Sequence, residues 1–430
     1  MVLFGMLLLG DFALVMRDRS VEPVSAWYLK QLGVPNLLFA FIMSSFPSML
    51  SLFLSPVISM KSDNHRGRWG RRIPFLLVST PLAAVGLIGI AFTPLVIKEV
   101  HIHFPQASEM LVGVICFSLF WTVFELGSII SHAIFGALLN DVVPRELLGR
   151  FFGLFRIVGL VDGIIFNFWI LGYIPAHFTL IVASIGIFYG ITFMWMSLKI
   201  KEGDYPPVAT EAGDGDQKGV FARRWDGIKL YFRECYANPF YISVFLMLTL
   251  SRLAFLPVNT FAIPYARSLE VSMGTYGNYA AWMLCVSLVL AYPIGWLADL
   301  FHPIRLAMGA LVAHIVICIW ATFYATSADG FLLAFLLHGV AAGTYGTSAA
   351  SLHQRLYPRL KFAQFASAGG ILGSICTMTL TPLVGMLIDY SGNNYRHTFI
   401  IGGFLALSGL GFGLIVYSKL RKKDAALPQE

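Results

Sequence analysis

Charged residues stand where an apolar chain should not carry them. Asp11, Asp18 and Glu22 follow one another at i, i+7 and i+11, one stripe of a helix, with Arg17 and Arg19 between them. Trp121, Glu125, Ser128 and His132 share a face of a second apolar run, Met110 to Asn140. Arg156, Gly159, Gly163 and Asn167 share a face of a third, with Asp162 on another side of it. Arg252 and Asn259 lie seven positions apart, as do His338 and Tyr345. Such groups can bind a proton, a metal ion or the hydroxyls of a polar solute. An aromatic plane beside a carboxylate, as at Trp121 and Glu125, suits a sugar: its C–H face stacks and its hydroxyls donate to the acid. A carboxyl in a poorly hydrated cavity can take up and release a proton, and Glu125 is placed to do so. The plainer alternative is a Glu125 buried and paired with an arginine for structure alone. Arg156 suits as the balancing cation for Glu125 or Asp18, with substrate binding as its other reading. A lone histidine such as His338 is more often a satisfied polar contact than a ligand.

The elements that must position these groups are membrane helices. Of 430 residues, 57% are hydrophobic and only 12% charged, about half the charge of a soluble domain. The mean hydropathy is +0.74. A spanning helix needs about 20 apolar residues, and twelve segments fit: 3–29, 34–60, 74–93, 110–140, 151–173, 176–200, 239–266, 274–300, 303–325, 329–355, 362–388 and 397–419. The expected class is an all-α membrane protein. The net charge of +7 does not point to nucleic acid, because the cations gather in loops of one topological side. Loops after even-numbered segments hold Lys61 to Arg72, Arg145 and Arg150, Lys201 to Arg233, Arg305, and Arg355 to Lys361. By the retention of Lys and Arg on the inner side, both termini are expected in the cytoplasm. The five cysteines form no CxxC pair, which argues against a disulfide framework or a zinc site. His101 and His103 lack acid or Cys partners and are a weak metal signal. The first apolar run leads into charged sequence without a small-residue cleavage site, so no cleavable signal peptide is expected. That run starts without the usual basic lead, which leaves open whether native residues precede Met1.

The first segment is the anomaly. Met1 to Met16 would span only about 24 Å as a helix, and Arg17, Asp18, Arg19 and Glu22 follow at once. Either the helix stops there and an outer loop follows, or it continues to about Tyr28 and carries the charges inward. The acidic stripe favours continuity. Each central charge costs about 2.5–3.5 kcal/mol on the insertion scale, so these residues must face a watery cavity with cations paired to acids. The excess of acids suits a proton, a metal ion or sugar hydroxyls.

Two further patterns organise the chain. Residues 201–238 join the halves: a polar, Gly- and Pro-rich start reads as a flexible linker. Val220 to Tyr236 alternates basic and aromatic residues, as an amphipathic helix on the inner surface would. Across this linker the halves echo each other. Leu138, Pro144, Arg145, Phe151, Ile157 and Gly159 recur 214 positions later as Leu352, Pro358, Arg359, Phe365, Ile371 and Gly373. The expected domains are a six-helix bundle over 1–200, the linker, a second six-helix bundle over 239–420 and a cytoplasmic tail over 421–430. Parallel repeats of this kind mark transporters with a midplane site.

The turn Lys61-Ser-Asp-Asn-His-Arg-Gly-Arg-Trp-Gly-Arg-Arg-Ile-Pro-Phe75 carries a more specific signal. Its form, SD-x4-RWGRR-x-PF, resembles the loop between helices II and III of the major facilitator superfamily, in the variant of the glycoside-pentoside-hexuronide:cation symporters and sucrose-type transporters. GDFA at Gly10 to Ala13 and LGVP at Leu32 to Pro35 resemble the ends of helix I in that group. The resemblance implies two pseudo-symmetric six-helix bundles, the major facilitator fold. It also implies a secondary active transporter of a sugar or glycoside, acting as a monomer in the plasma (inner) membrane.

Sucrose-type transporters carry a helix IV acid implicated in proton coupling at the position Glu125 matches. Melibiose-type members place two acids on helix II where Ser51 and Ser55 stand here, which disfavours sodium and favours the proton as coupling ion, with no other cofactor. Asp11 matches the helix I acid of that group. The expected binding and coupling residues are Asp11, Arg17, Asp18, Glu22, Trp121, Glu125, His132, Arg156, Asp162, Asn167, Arg252 and Asn259. Asp63, Arg71, Arg72, Asp141, Arg145 and Arg150 resemble the superfamily's cytoplasmic salt-bridge latch. Alternatives are a facilitator or exporter of another polar solute, or a membrane-embedded enzyme or sensor. Against the last, the chain has no phosphate-binding Gly loop, HExxH or nucleophile elbow.

Overall fold

The computed structural model describes residues 2–203, 231–358 and 361–425. Most of the expected linker, including 220–230 of its amphipathic stretch, lies outside the described residues. Among those described, the chain is helical, with one isolated bridge pairing Gly67 and Gly70. In the first half run α1 (Val2–Gln31), α2 (Asn36–Asn64), α3 (Ile73–His103), α4 (Glu109–Val142), α5 (Arg145–Ile165) and α6 (Ile174–Lys199). In the second run α7 (Pro239–Leu253), α8 (Leu256–Ser268), α9 (Met273–Phe301), α10 (Pro303–Tyr324), α11 (Ala328–Ala349), α12 (Phe362–Tyr390) and α13 (His397–Ala425). Ten helical runs among the described residues are long and apolar enough to cross a membrane.

The first segment is one helix, Val2–Gln31, and passes through all its charges. The apolar residues before Met16 cannot explain that by themselves. Val21, Val24, Ala26, Tyr28 and Leu29 are buried beyond the charges, and Tyr28 stacks on Phe178 of α6 at 4.6 Å between ring centroids. Packing on both sides of the polar stretch carries the helix through it. The third helix runs on to His103, past the expected 93, its C-terminal end exposed around Lys98. Between α5 and α6 the backbone widens into a π turn at Phe166–Ile170 and tightens at Leu171–Tyr173. The expected segment 239–266 is one run, Pro239–Ser268, with a turn at Ala254 and Phe255 between α7 and α8.

By contacts the chain divides into two units: Met1–Val208 with Ala262–Leu288 and Thr381–Asn393, and Ala209–Phe261 with Val289–Leu380 and Asn394–Glu430. In the first unit α3 and α4 cross at paired glycines. A Cβ on Gly86 would lie 2.4 Å from the Phe124 backbone nitrogen, and one on Gly127 2.4 Å from that of Ala83. Small residues permit this approach in membrane bundles, where dispersion replaces the hydrophobic effect. In the second unit Phe245, Tyr357 and Phe365 centre an aromatic cluster within the core.

Candidate functional site

The charged stripe of α1 lies inside the first unit. Arg17 is fully buried. Its Nε and Nη2 donate to Asp18 Oδ1 at 3.1 and 2.7 Å, and Nη2 also donates to Ser128 Oγ on α4 at 3.0 Å. The guanidinium lies 4.5 Å from the centroid of Tyr189 on α6 and 5.5 Å from that of Phe124, a cation–π setting. Tyr189 is held in turn through Ser131 at 3.1 Å, and Ser131 through Ser79 at 3.0 Å. α1, α3, α4 and α6 thus fix one cation.

His132 Nε2 stands 2.9 Å from Asp18 Oδ2 and 3.2 Å from Arg17 Nη2. Arginine only donates. With a proton on Nε2 the ring donates to Asp18; with that nitrogen bare it accepts from Arg17. The two bonding patterns differ in which ring nitrogen carries the hydrogen, at a half-exposed ring.

Around this pair lie carboxyls without hydrogen-bonded partners among the described residues. Asp11 and Asp162 are 6% and 1% exposed, and each leaves its Oδ2 buried and unsatisfied, as Arg17 leaves its Nη1. Asp11 is within electrostatic reach of Asp18 and Asp162. Glu125 is partly buried on α4 and feels Arg17, Asp18 and Glu22. Arg19 acts on both Glu22 and Asp162. A Cβ at Gly163 would sit 2.8 Å from Leu284 Cδ1, so the bare glycine leaves that side chain room. Asp11, Asp18, Glu22, Glu125 and Asp162 against Arg17 and Arg19 leave the cluster acidic.

Other expected site residues are placed differently. Trp121 is 4% exposed, stacks on Phe117 at 5.5 Å and donates from Nε1 to the Ile42 carbonyl at 3.1 Å. Its faces are covered by helix packing and offer no platform for a sugar ring. Arg156 is exposed on α5, and the cation balancing Asp18 is Arg17, with His132 beside it. Asn167 donates to the Gly163 carbonyl at 2.7 Å, which serves the π turn. In the second unit Asn259 Oδ1 accepts from His338 Nε2 at 3.1 Å, while Arg252 makes no hydrogen bond or ion pair among the described residues. Arg19 and Tyr189 were not singled out as site residues by the sequence. Arg19 was legible from the same acidic stripe, but nothing local marks Tyr189.

The basic hairpin is ordered by acids. Arg71 Nη2 meets Asp141 Oδ1 at 2.5 Å; Arg72 reaches Asp63 Oδ1 at 2.5 Å and Asp141 Oδ2 at 3.1 Å. The side chains of Arg145 and Arg150 lie outside what is described. Glu202, unmarked in the sequence, accepts the backbone N–H groups of Arg71, Arg72 and Ile73 at 2.9, 2.7 and 2.7 Å, capping α3 across its positive end. Gly70 has φ +97°, and a Cβ there would meet the Glu202 carboxyl carbon at 2.5 Å, so the turn needs glycine for conformation and for space. Glu202→Ala is expected to destabilise the protein by about 0.5–2 kcal/mol, as for loss of a helix cap, read as a lower unfolding temperature in detergent. An unchanged temperature would remove Glu202 from the cap.

A second carboxylate clamp joins α12 to α2. Asp389 accepts from the backbone nitrogens of Asn36 and Leu37 at 2.9 and 2.8 Å and from Asn36 Nδ2 at 2.8 Å. Lys30 Nζ in turn donates to Asn36 Oδ1 at 2.9 Å.

The sequence matches the family described as MFS/sugar transport protein over residues 8–358. It is 34% identical over 92 residues to the membrane-associated transporter protein of Mus musculus, a stretch that covers 21% of this chain and only 16% of the mouse protein. The fold is similar to that of a bacterial homologue of the iron transporter ferroportin in its inward-facing state. That likeness has TM-score 0.70 and 14% identity, covering 96% of this chain and 98% of the other. It is also similar to the inward-open xylose transporter XylE from E. coli, with TM-score 0.61 and 14% identity over 95% of this chain and 94% of the other. At such identities the likeness is one of fold.

Proposed function

The chain belongs to the MFS/sugar transport protein family, a family of membrane transporters, and from that premise we propose that it moves a sugar or glycoside by proton-coupled symport with alternating access. The observation that carries this reading is Glu125: a carboxyl on a membrane helix, without a hydrogen-bonded partner among the described residues, within electrostatic reach of Arg17 and Asp18. An ionised carboxylate is costly to withdraw from water unpaired, and the cost falls away when it takes a proton. Protonation can thereby be tied to closure of the cavity around a solute. Asp11 and Asp162 provide further sites along the same path. Hydroxyl-rich solutes suit a cluster with acceptors in excess.

In this reading the chain makes twelve crossings as two six-helix halves: α1 counts as one, the break at Leu171–Tyr173 separates two, and α7 with α8 forms a single interrupted crossing. It works as a monomer in the plasma membrane with both termini inside, and the Arg71–Asp141 and Arg72–Asp63 pairs act as a cytoplasmic latch. Purified protein in liposomes should accumulate labelled mono- or disaccharide under an imposed proton gradient and not under a sodium gradient of equal size. Accumulation driven by sodium alone would overturn proton coupling, and no sugar movement by folded protein would overturn the substrate class.

A further inference from the structure

The second unit contains a cavity of about 680 Å³, within the range of small-ligand sites. Phe245, Phe255, Tyr345 and Tyr357 wall it, and Gly370 and Gly373 of α12 leave its floor bare. Arg252, in the last turn of α7, is exposed to it. No acid lines the cavity, and Arg252 holds no hydrogen bond or ion pair among the described residues. A Cβ on Gly373 would lie 3.6 Å from Arg252 Nη2, so the guanidinium lies over bare backbone with its fork unengaged.

The chemistry of this arginine favours negative charge. An unpaired cation inside a membrane helix is costly and finds a partner or a solute; a planar guanidinium matches carboxylate and phosphate oxygens two at a time.

We propose that this cavity binds the carboxylate or phosphate of an organic solute, with Arg252 as its counter-ion. The inference rests on the sugar-transport reading and narrows it to sugars that bear an acid group. The aromatic walls then cover the uncharged part of the solute, while Thr249 and Ser374 offer hydroxyls beside it.

The test uses the full chain in nanodiscs of neutral phosphatidylcholine and compares D-glucose, D-gluconate and glucose 6-phosphate by thermal shift and equilibrium binding. The two anions should bind the wild type more tightly than glucose. Arg252→Gln should weaken them on the order of tenfold or more, the effect of losing a charge-assisted contact, and should weaken glucose far less; Arg252→Lys should recover part. Gly373→Val, which fills the place over which the guanidinium lies, should lower anion affinity with the charge intact, and decides the matter if Arg252→Gln fails to fold. Equal binding of glucose and the anions, unaffected by either variant, overturns the anion site and leaves sugar transport standing. Binding of the anions through Arg252 with no sugar transported leaves the site standing and overturns the sugar reading. A response to added phosphatidylglycerol but to neither soluble anion would make the occupant a lipid headgroup and overturn the solute assignment.

Discussion

Glu125→Gln is expected to abolish accumulation of sugar against its gradient while leaving sugar exchange across the membrane intact. Glutamine keeps the shape and the hydrogen-bonding capacity toward hydroxyls but cannot carry a proton. One unit of pH difference is worth about 1.4 kcal/mol, so one-to-one coupling gives about tenfold accumulation in the wild type, and the variant should show none. Exchange survives because closing around the solute then needs no protonation. The surroundings of Glu125 motivate the choice: Arg17 is committed to Asp18 and Ser128, which leaves Glu125 without a bonded cation. If the variant accumulates sugar as the wild type does, the proton is carried elsewhere, and Asp11 and Asp162, buried and unsatisfied, are next in line.

Arg17→Leu is expected to cause the largest loss of stability. Removing one member of a buried ion pair costs about 3–5 kcal/mol, mostly because the partner is left uncompensated. The effect should fall toward the lower end, since the Asp18 side chain is 31% exposed and keeps His132 beside it. Arg17→Lys should recover little: an ammonium cannot donate from a fork to Asp18 and Ser128 together, nor lie flat against Tyr189. Removing both charges, as Arg17→Leu with Asp18→Asn, should restore part of the loss in thermal unfolding. If the double variant is no more stable than the single one, Arg17 acts through Tyr189 and Ser128 and not through charge.

The sequence and the structure agree most closely where a pattern is local. The stripe Asp11, Asp18, Glu22 placed a continuous helix through charged residues that hydropathy alone would have ended at Met16, and the helix runs to Gln31. Helical spacing also put Glu125, Ser128 and His132 on one face, and Arg17 meets Ser128 and His132 there. The same spacing included Trp121, but periodicity reports which way a side chain points and not whether a neighbour covers it; Phe117 and the Ile42 carbonyl do. Asp18 is paired for a related reason with Arg17, its neighbour in the chain, and not with Arg156. Glu202 and Asp389 left no trace in the sequence, because their partners are backbone amides 130 and 352 positions away, and any polar residue at a loop start looks alike before the fold brings it to a helix end. Arg252 was visible as a charge in an apolar run, but its lack of a partner is a property of the packed unit alone.

The most direct test of the central claim is the pH change that sugar itself evokes. Proteoliposomes holding the wild-type protein, in lightly buffered medium with no imposed gradient, receive sugar outside while external pH is followed. Symport predicts prompt alkalinisation that scales with sugar taken up, disappears with a protonophore and is absent from Glu125→Gln vesicles that still exchange sugar. Sugar uptake at the wild-type rate with no accompanying movement of protons would contradict the account.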